Sequence, residues 1–191
     1  MARPLRIEYP DAMYHVSNYS LDDQRVFPSD RYYEEFLKSL GDTCARLNVE
    51  VHAYCLLRNQ YHLIIKTPEA NLSRFMRQVD GLYTQHYQKM KRSEGSLFRG
   101  RYKAVLVQAE KYLLPLSRYI HSKVKASQLA SYPYSSYGFY TRKASPPSWF
   151  NRLETQQQLK VQVQKLILQN QLQLLLNLRQ LKIFLLVIQW Y

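Results

Sequence analysis

The sequence predicts an α+β domain of the split β-α-β, ferredoxin-like kind: a small antiparallel sheet with helices packed on one face, plus a C-terminal Gln/Leu-rich helix. Three observations lead there. Hydrophobic residues make up 46% of the 191 and charged residues 21%, which is enough apolar material to bury a core. Apolar positions recur with period two in some segments and at steps of three and four in others, in the order β-α-β-β-α-β-α. Composition then changes near Pro146-Pro147, dividing the chain into a mixed part, residues 1–148, and an atypical tail, residues 149–191.

From Met13 to Ser20, Tyr14 and Val16 alternate with His15 and Ser17, as in a strand. Ser29 and Asp30 precede Arg31-Tyr32-Tyr33 and read as a capped helix start, with the helix running to about Leu47. Glu50 to Leu57 and Tyr61 to Lys66 are β-rich runs separated by Arg58-Asn59-Gln60, which predicts a hairpin. Asn71 opens a second helix, on which Leu72, Phe75, Met76, Val79, Leu82 and Tyr83 share a face through to about Met90. Ser93-Glu94-Gly95 breaks it. Leu97 to Gln108 reads as extended, and a third helix starts at Glu110 with Tyr112, Leu113, Leu116, Tyr119 and Ile120 at helical spacing. After Trp149 there is no Gly or Pro, and Leu168, Leu172 and Leu175, then Leu174, Leu178, Leu181, Leu185 and Ile188, give a helix with a broad apolar face. Arg179 and Lys182 interrupt that run, so a membrane span of about 20 apolar residues is not available.

Lys and Arg number 27 against 14 Asp and Glu, a formal charge of +13 that favours a polyanionic partner such as nucleic acid. Arg99, Arg101 and Lys103 alternate along an extended segment and predict a basic stripe on one face, with Tyr102 on the other. The surplus of Arg74, Arg77, Lys89, Lys91 and Arg92 over acids on the second helix favours contact with phosphates; the alternative is an ordinary solvated helix surface. Tyr132, Tyr134 and Tyr137 either stack on unpaired bases or fill the core. Cys44 and Cys55 have neither C-x-x-C spacing nor a His-rich partner segment, so they read as buried reduced thiols rather than a disulfide framework or zinc module. Arg3 and Arg6 are not followed by an apolar run, so no secretory signal is read and the expected compartment is the cytoplasm.

Several strings, in order, resemble one family: Met1 to Pro10, Tyr14-His15-Val16, Val51 to Leu56, Asn71 to Arg74, Leu97 to Ala104, Leu116 to His121, and Tyr132 to Tyr137. They are similar to the signatures of IS200-like, single-tyrosine (Y1) HUH transposases, with the REP-associated tyrosine transposases as the nearest subgroup. The resemblance covers roughly residues 1–148.

It implies a transposase that binds hairpin-flanked single-stranded DNA and nicks and rejoins it through a 5′-phosphotyrosine, with no external energy source. The implied nucleophile is Tyr119, in Arg118-Tyr119-Ile120-His121. The implied cofactor is Mg²⁺ or Mn²⁺, which polarises the phosphoryl oxygen. Such enzymes hold it with His-x-His on a strand, whose period of two puts both rings on one face. Here the string is Gln60-Tyr61-His62, so the ligands carried over are His62 and Gln60, whose carbonyl suits an oxygen-seeking ion. Lys123 stands where a third ligand typically lies, and a protonated ammonium has no acceptor to offer; it could instead contact the phosphate. These departures leave the metal site weakened or lost, and whether this is an enzyme stays open. The DNA contacts expected are Arg74, Arg77, Arg99, Arg101, Lys103 and Lys123. Single-stranded or hairpin DNA is the expected partner, without membrane, and with a homodimer as one open arrangement. The alternative functions are a catalytically impaired DNA-binding remnant and, further off, an RNA-binding ferredoxin-like module.

Overall fold

A computed structural model of the chain describes residues 7–21, 24–141, 144–158, 160, 161, 164 and 169. Up to His121 the elements follow the order β-α-β-β-α-β-α read in the sequence. The alternating segments form β1 (Ala12–Tyr19), β2 (Glu50–Leu57), β3 (Gln60–Thr67) and β4 (Lys103–Val107). The amphipathic segments form α1 (Asp30–Leu47), α2 (Leu72–Lys91) and α3 (Ala109–His121), followed by the short turns α4 (Ala126–Leu129) and α5 (Tyr137–Tyr140). Ser29 occupies the N-cap of α1 in extended backbone, but its side chain makes no capping hydrogen bond; its carbonyl accepts from the Tyr32 N–H instead. Asn48 closes α1 in the left-handed region at φ 49°, which Asn tolerates better than most residues.

The strands pair antiparallel in the order β2-β3-β1-β4, the arrangement expected of a split β-α-β fold. Alternation then sorts side chains to two faces. Tyr14 and Val16 of β1, Tyr61, Leu63 and Ile65 of β3, and Tyr54 and Leu56 of β2 point to one face. There they meet Phe36 and Leu40 of α1 and Phe75, Val79 and Tyr83 of α2 in the main core. Met13, Ala53, Cys55 and Ile64 point to the other face and pack against Leu113 and Ile120 of α3 and against Val124. The expectation of helices on one face therefore holds for α1 and α2, while α3 covers the opposite one, because the sheet's second face is also apolar and needs a cover. A bulge at His52, between Val51 and Ala53, makes Val51 and Ala53 face opposite ways although they are two apart.

The extended reading of 97–108 is corrected in part: regular strand begins at Lys103, and 97–102 is an irregular loop anchored by the buried Leu97, Phe98 and Tyr102. Gly100, at φ 122°, sits in that loop in a conformation few other residues adopt. Cys44 and Cys55 are buried and free, as expected; burial pushes each thiol up to about 12.

The break at Pro146-Pro147 is not where packing ends. Phe150 is 6% exposed within the main core, and the 149–151 backbone pairs with Val51 through a bond from the Val51 N–H to the Trp149 carbonyl and one from the Asn151 N–H to the Val51 carbonyl. The first compact unit extends to Glu154 and the second comprises Thr155–Tyr191, of which residues 155–158, 160, 161, 164 and 169 are described and helical. The apolar tail run from Leu172 to Ile188 lies outside the described residues. Among the described residues no helix is long and apolar enough to cross a membrane.

Candidate functional site

The sheet face that carries α3 gathers the chemistry. On β1 the odd positions Met13, His15, Ser17 and Tyr19 point to it, and on β3 the even positions Gln60, His62 and Ile64 do. In register Ser17 is opposite His62, so His62 is diagonal to both His15 and Tyr19, within reach of long side chains. His15 uses the diagonal: its ring stacks on His62 at 5.4 Å between centroids, and its Nε2 is 3.2 Å from His62 Nδ1. Tyr19 meets His62 edge-on at 6.2 Å, and Gln60 is opposite Tyr19.

From the other side α3 brings Tyr119, whose ring meets His15 edge-on at 6.3 Å. Tyr119 is 48% exposed, whereas Leu113 and Ile120 of the same helix are fully buried. One turn further, Lys123 Nζ lies 4.2 Å from the Tyr119 ring centroid, close enough for a cation–π contact. Lys103 Nζ lies 5.6 Å from the Tyr19 ring centroid. The structure thus brings Tyr119, His62, Lys123 and Lys103 of the expected set to one place, with Gln60 alongside His62 on the strand.

Burial, then His15 and Lys123, lowers the His62 pKa to about 4. Burial, then Lys123, lowers that of His15. Both imidazoles are neutral at neutral pH, and the fixed charge of the site is the lysine ammonium. His62 Nε2 is buried and has no hydrogen-bond partner, and among the described residues no carboxylate pairs with Lys123. Among the described residues no group of three or more His, Cys, Asp or Glu side chains has a geometry that could hold a metal ion. The donors on this face are the imidazoles of His62 and His15, which occupy one nitrogen of each other, and the Gln60 carboxamide; with no carboxylate among them and a positive charge beside them, that set does not fit Mg²⁺ or Mn²⁺.

The remaining expected DNA contacts are elsewhere. Arg77 and Arg101 line one cleft between α2 and the 96–102 loop, with Asp80 at its wall. Arg74 is exposed one turn earlier on α2. Arg99 is exposed and its N–H donates to the Tyr19 carbonyl, which places it at the end of β1. The expected stripe of Arg99, Arg101 and Lys103 on one face is therefore corrected: the first two precede the strand, and Lys103 alone of the three is in it. Tyr132, Tyr134 and Tyr137 are structural. Tyr132 donates to the Leu56 carbonyl at 2.6 Å, Tyr134 stacks on Tyr33 at 3.9 Å, and Tyr137 meets His121 edge-on. His121 turns away from Tyr119 and bonds Ser136 Oγ at 2.9 Å.

His15 and Tyr19 join the site without belonging to any motif on which the expected site residues lie, although the sequence carries a signal for His15. The alternation of Met13 to Ser20 already puts His15 and Tyr14 on different faces, and pairing β1 with β3 would have set His15 beside His62.

A four-stranded antiparallel sheet with a histidine pair on one face, opposed by an exposed tyrosine on a covering helix, defines an α+β protein with a polar centre between sheet and helix. The family model described as transposase, IS200-like, matches residues 8–123, more than half of the chain, and the chain belongs to that family. A solved structure of a REP-associated tyrosine transposase bound to a REP hairpin shares the fold, with a TM-score of 0.63 and 14% identity over 79% of this chain and 92% of that one. A putative transposase from Deinococcus radiodurans R1 aligns at a TM-score of 0.44 and 17% identity, over 66% of this chain and all of that one. No curated protein matches the chain.

Proposed function

We propose that the chain binds hairpin-flanked single-stranded DNA and that Tyr119 is placed to attack one of its phosphodiesters. The observation that carries this reading is the position of Tyr119: exposed at the end of α3, edge-on to the His15–His62 pair, with the Lys123 ammonium against its ring. Support for the partner comes from the charge of +13, from the family, and from the neighbour of the same fold that is described with a REP hairpin.

In the proposed reaction the Tyr119 oxygen forms a bond to phosphorus as the bond from phosphorus to the 3′-oxygen breaks. The hydroxyl proton leaves and the departing 3′-oxygen takes one up, giving a 5′-phosphotyrosine and a 3′-OH that can reverse the step. Lys123 and Lys103 counter the charge of the phosphate, and Tyr19 and Tyr119 offer faces to unpaired bases. No step is assigned to a metal, because the donors present do not form a centre for one.

That same donor set favours a second reading, in which the chain binds the hairpin but does not cut it. A denaturing gel of protein incubated with labelled single-stranded hairpin DNA, with and without Mn²⁺, separates the two. A labelled protein band that disappears in Tyr119→Phe supports the nucleophile. Binding without a band, in either condition, supports the binding-only reading.

A further inference from the structure

Beside Tyr119 lie an ammonium, Lys123, and the His15–His62 pair. His62 is 2% exposed, and its Nε2 points to no partner, an arrangement that costs stability unless a ligand repays it. Its Nδ1 is engaged by His15 Nε2, and one proton is shared along that 3.2 Å contact. A neutral imidazole carries one proton, so the direction of the shared bond fixes the state of the free nitrogen. When His15 donates, His62 Nε2 bears a hydrogen and is a donor. When His62 donates, its Nε2 is a lone pair suited to a cation. The pair can adopt either polarity, and the charge nearby decides which ligand it meets. That charge is Lys123, held against Tyr119 with no carboxylate partner among the described residues. An ammonium repels a dication and attracts a phosphate. Lys123 also acts on both imidazoles as a positive neighbour, and no carboxylate acts on either.

We propose that Lys123 and the unpartnered Nε2 of His62 form a metal-independent subsite for a phosphoryl oxygen of single-stranded DNA beside Tyr119, with His15 holding His62 in its donor form. The subsite rests on the reading of this face as a DNA site and names the groups that meet the phosphate. It serves that phosphate whether the strand is then cut or only held.

The test uses the full chain with ¹⁵N-labelled histidine, in EDTA, with inorganic phosphate as the probe. Long-range ¹H–¹⁵N spectra report the tautomer of each ring. Expected are a His62 ring protonated at Nε2, a saturable shift of its signals on adding phosphate, loss of that shift in Lys123→Gln, and its retention in Lys123→Arg. Manganese added without EDTA should leave the His15 and His62 signals sharp. Selective broadening of His62 by substoichiometric Mn²⁺ would overturn the proposal, as would a phosphate titration that leaves His62 unmoved or that proceeds equally in Lys123→Gln. A parallel anisotropy titration in EDTA with a hairpin oligonucleotide should show about tenfold weaker binding for Lys123→Gln than for the natural chain. Failure of the natural chain to bind the hairpin would sink the DNA reading. Equal binding by both forms, with no phosphate shift at His62, would sink the subsite alone.

Discussion

His15 Nε2 lies 3.2 Å from His62 Nδ1, so two strands that pair through their backbones are also tied through side chains on the face beneath α3. The contact is diagonal rather than directly cross-strand, which lets the rings stack at 5.4 Å while Tyr119 meets the outer edge of His15. Removing one ring strands the other's nitrogen in a buried setting. His15→Phe should therefore cost about 1–3 kcal/mol in urea unfolding. The double variant His15→Phe, His62→Phe should cost less than the sum of the single changes. Additive losses would mean that the two rings act independently.

Exposure separates Tyr119 from the core tyrosines. Tyr83 is fully buried and donates to the Val26 carbonyl at 2.6 Å, and burial raises its pKa. Tyr83→Phe should cost about 1–3 kcal/mol by leaving that carbonyl unpaired, whereas Tyr119→Phe should change stability by no more than about 0.5 kcal/mol. Thermal unfolding of the two variants checks this, and a large loss from Tyr119→Phe would make it a structural residue.

The contrast also shows what the sequence could and could not reveal. Strand β3 was legible because Tyr61 to Lys66 is a β-rich run set off from Glu50 to Leu57 by Arg58-Asn59-Gln60, and so was α2, because Leu72, Phe75, Met76 and Val79 keep helical spacing. Which sheet face α3 covers was not legible, since an amphipathic helix fits either apolar face and the choice is tertiary. Neither was the loop at 97–102: Arg99, Arg101 and Lys103 alternate in the letters, but the buried Phe98 and Tyr102 and the positive φ of Gly100 take the chain off the strand path. His62 and Tyr119 were found through motif resemblance. His15 emerges from register, a property of two strands that no single segment carries.

The cations divide between two places, with Arg77 and Arg101 in the α2 cleft and Lys103 and Lys123 around Tyr19 and Tyr119. A bound strand that spans both should lose about 0.7–0.9 from the slope of log K against log salt for each cation neutralised to Gln. Fluorescence anisotropy at several salt concentrations measures this. An unchanged slope for Arg77→Gln with a reduced one for Lys103→Gln would confine the DNA to the tyrosine side.

Gly41 lies on the buried side of α1, where a Cβ would fall 2.5 Å from Trp149 Nε1 and 2.7 Å from Cδ1. The indole is a bulky plane held next to the core residue Phe150, so it must shift. Gly41→Ala should destabilise by about 1–3 kcal/mol and move the tryptophan emission to the red. A variant as stable as the natural chain, with unchanged emission, would show that the 149–150 segment is not seated against α1 in solution.

Acid should weaken the fold through its buried histidines. His121 is 5% exposed, bonded to Ser136, and burial lowers its pKa to about 4. In the unfolded chain the ring titrates near its ordinary value of about 6.5. Between these values the unfolded state binds more protons than the folded one, so stability rises with pH through this window. It is fully present above about 6.5 and is lost as pH falls toward 4, by roughly 2 kcal/mol at pH 5 for this one group. His15, His52 and His62 shift in the same direction and add to the slope. Urea midpoints should therefore drop between pH 7.5 and pH 5, and His121→Gln should flatten part of that drop while leaving the remainder due to His15, His52 and His62. A midpoint that stays level or rises on acidification would mean that these imidazoles are already protonated in the folded chain, with a polar environment that the packing of α3 does not provide.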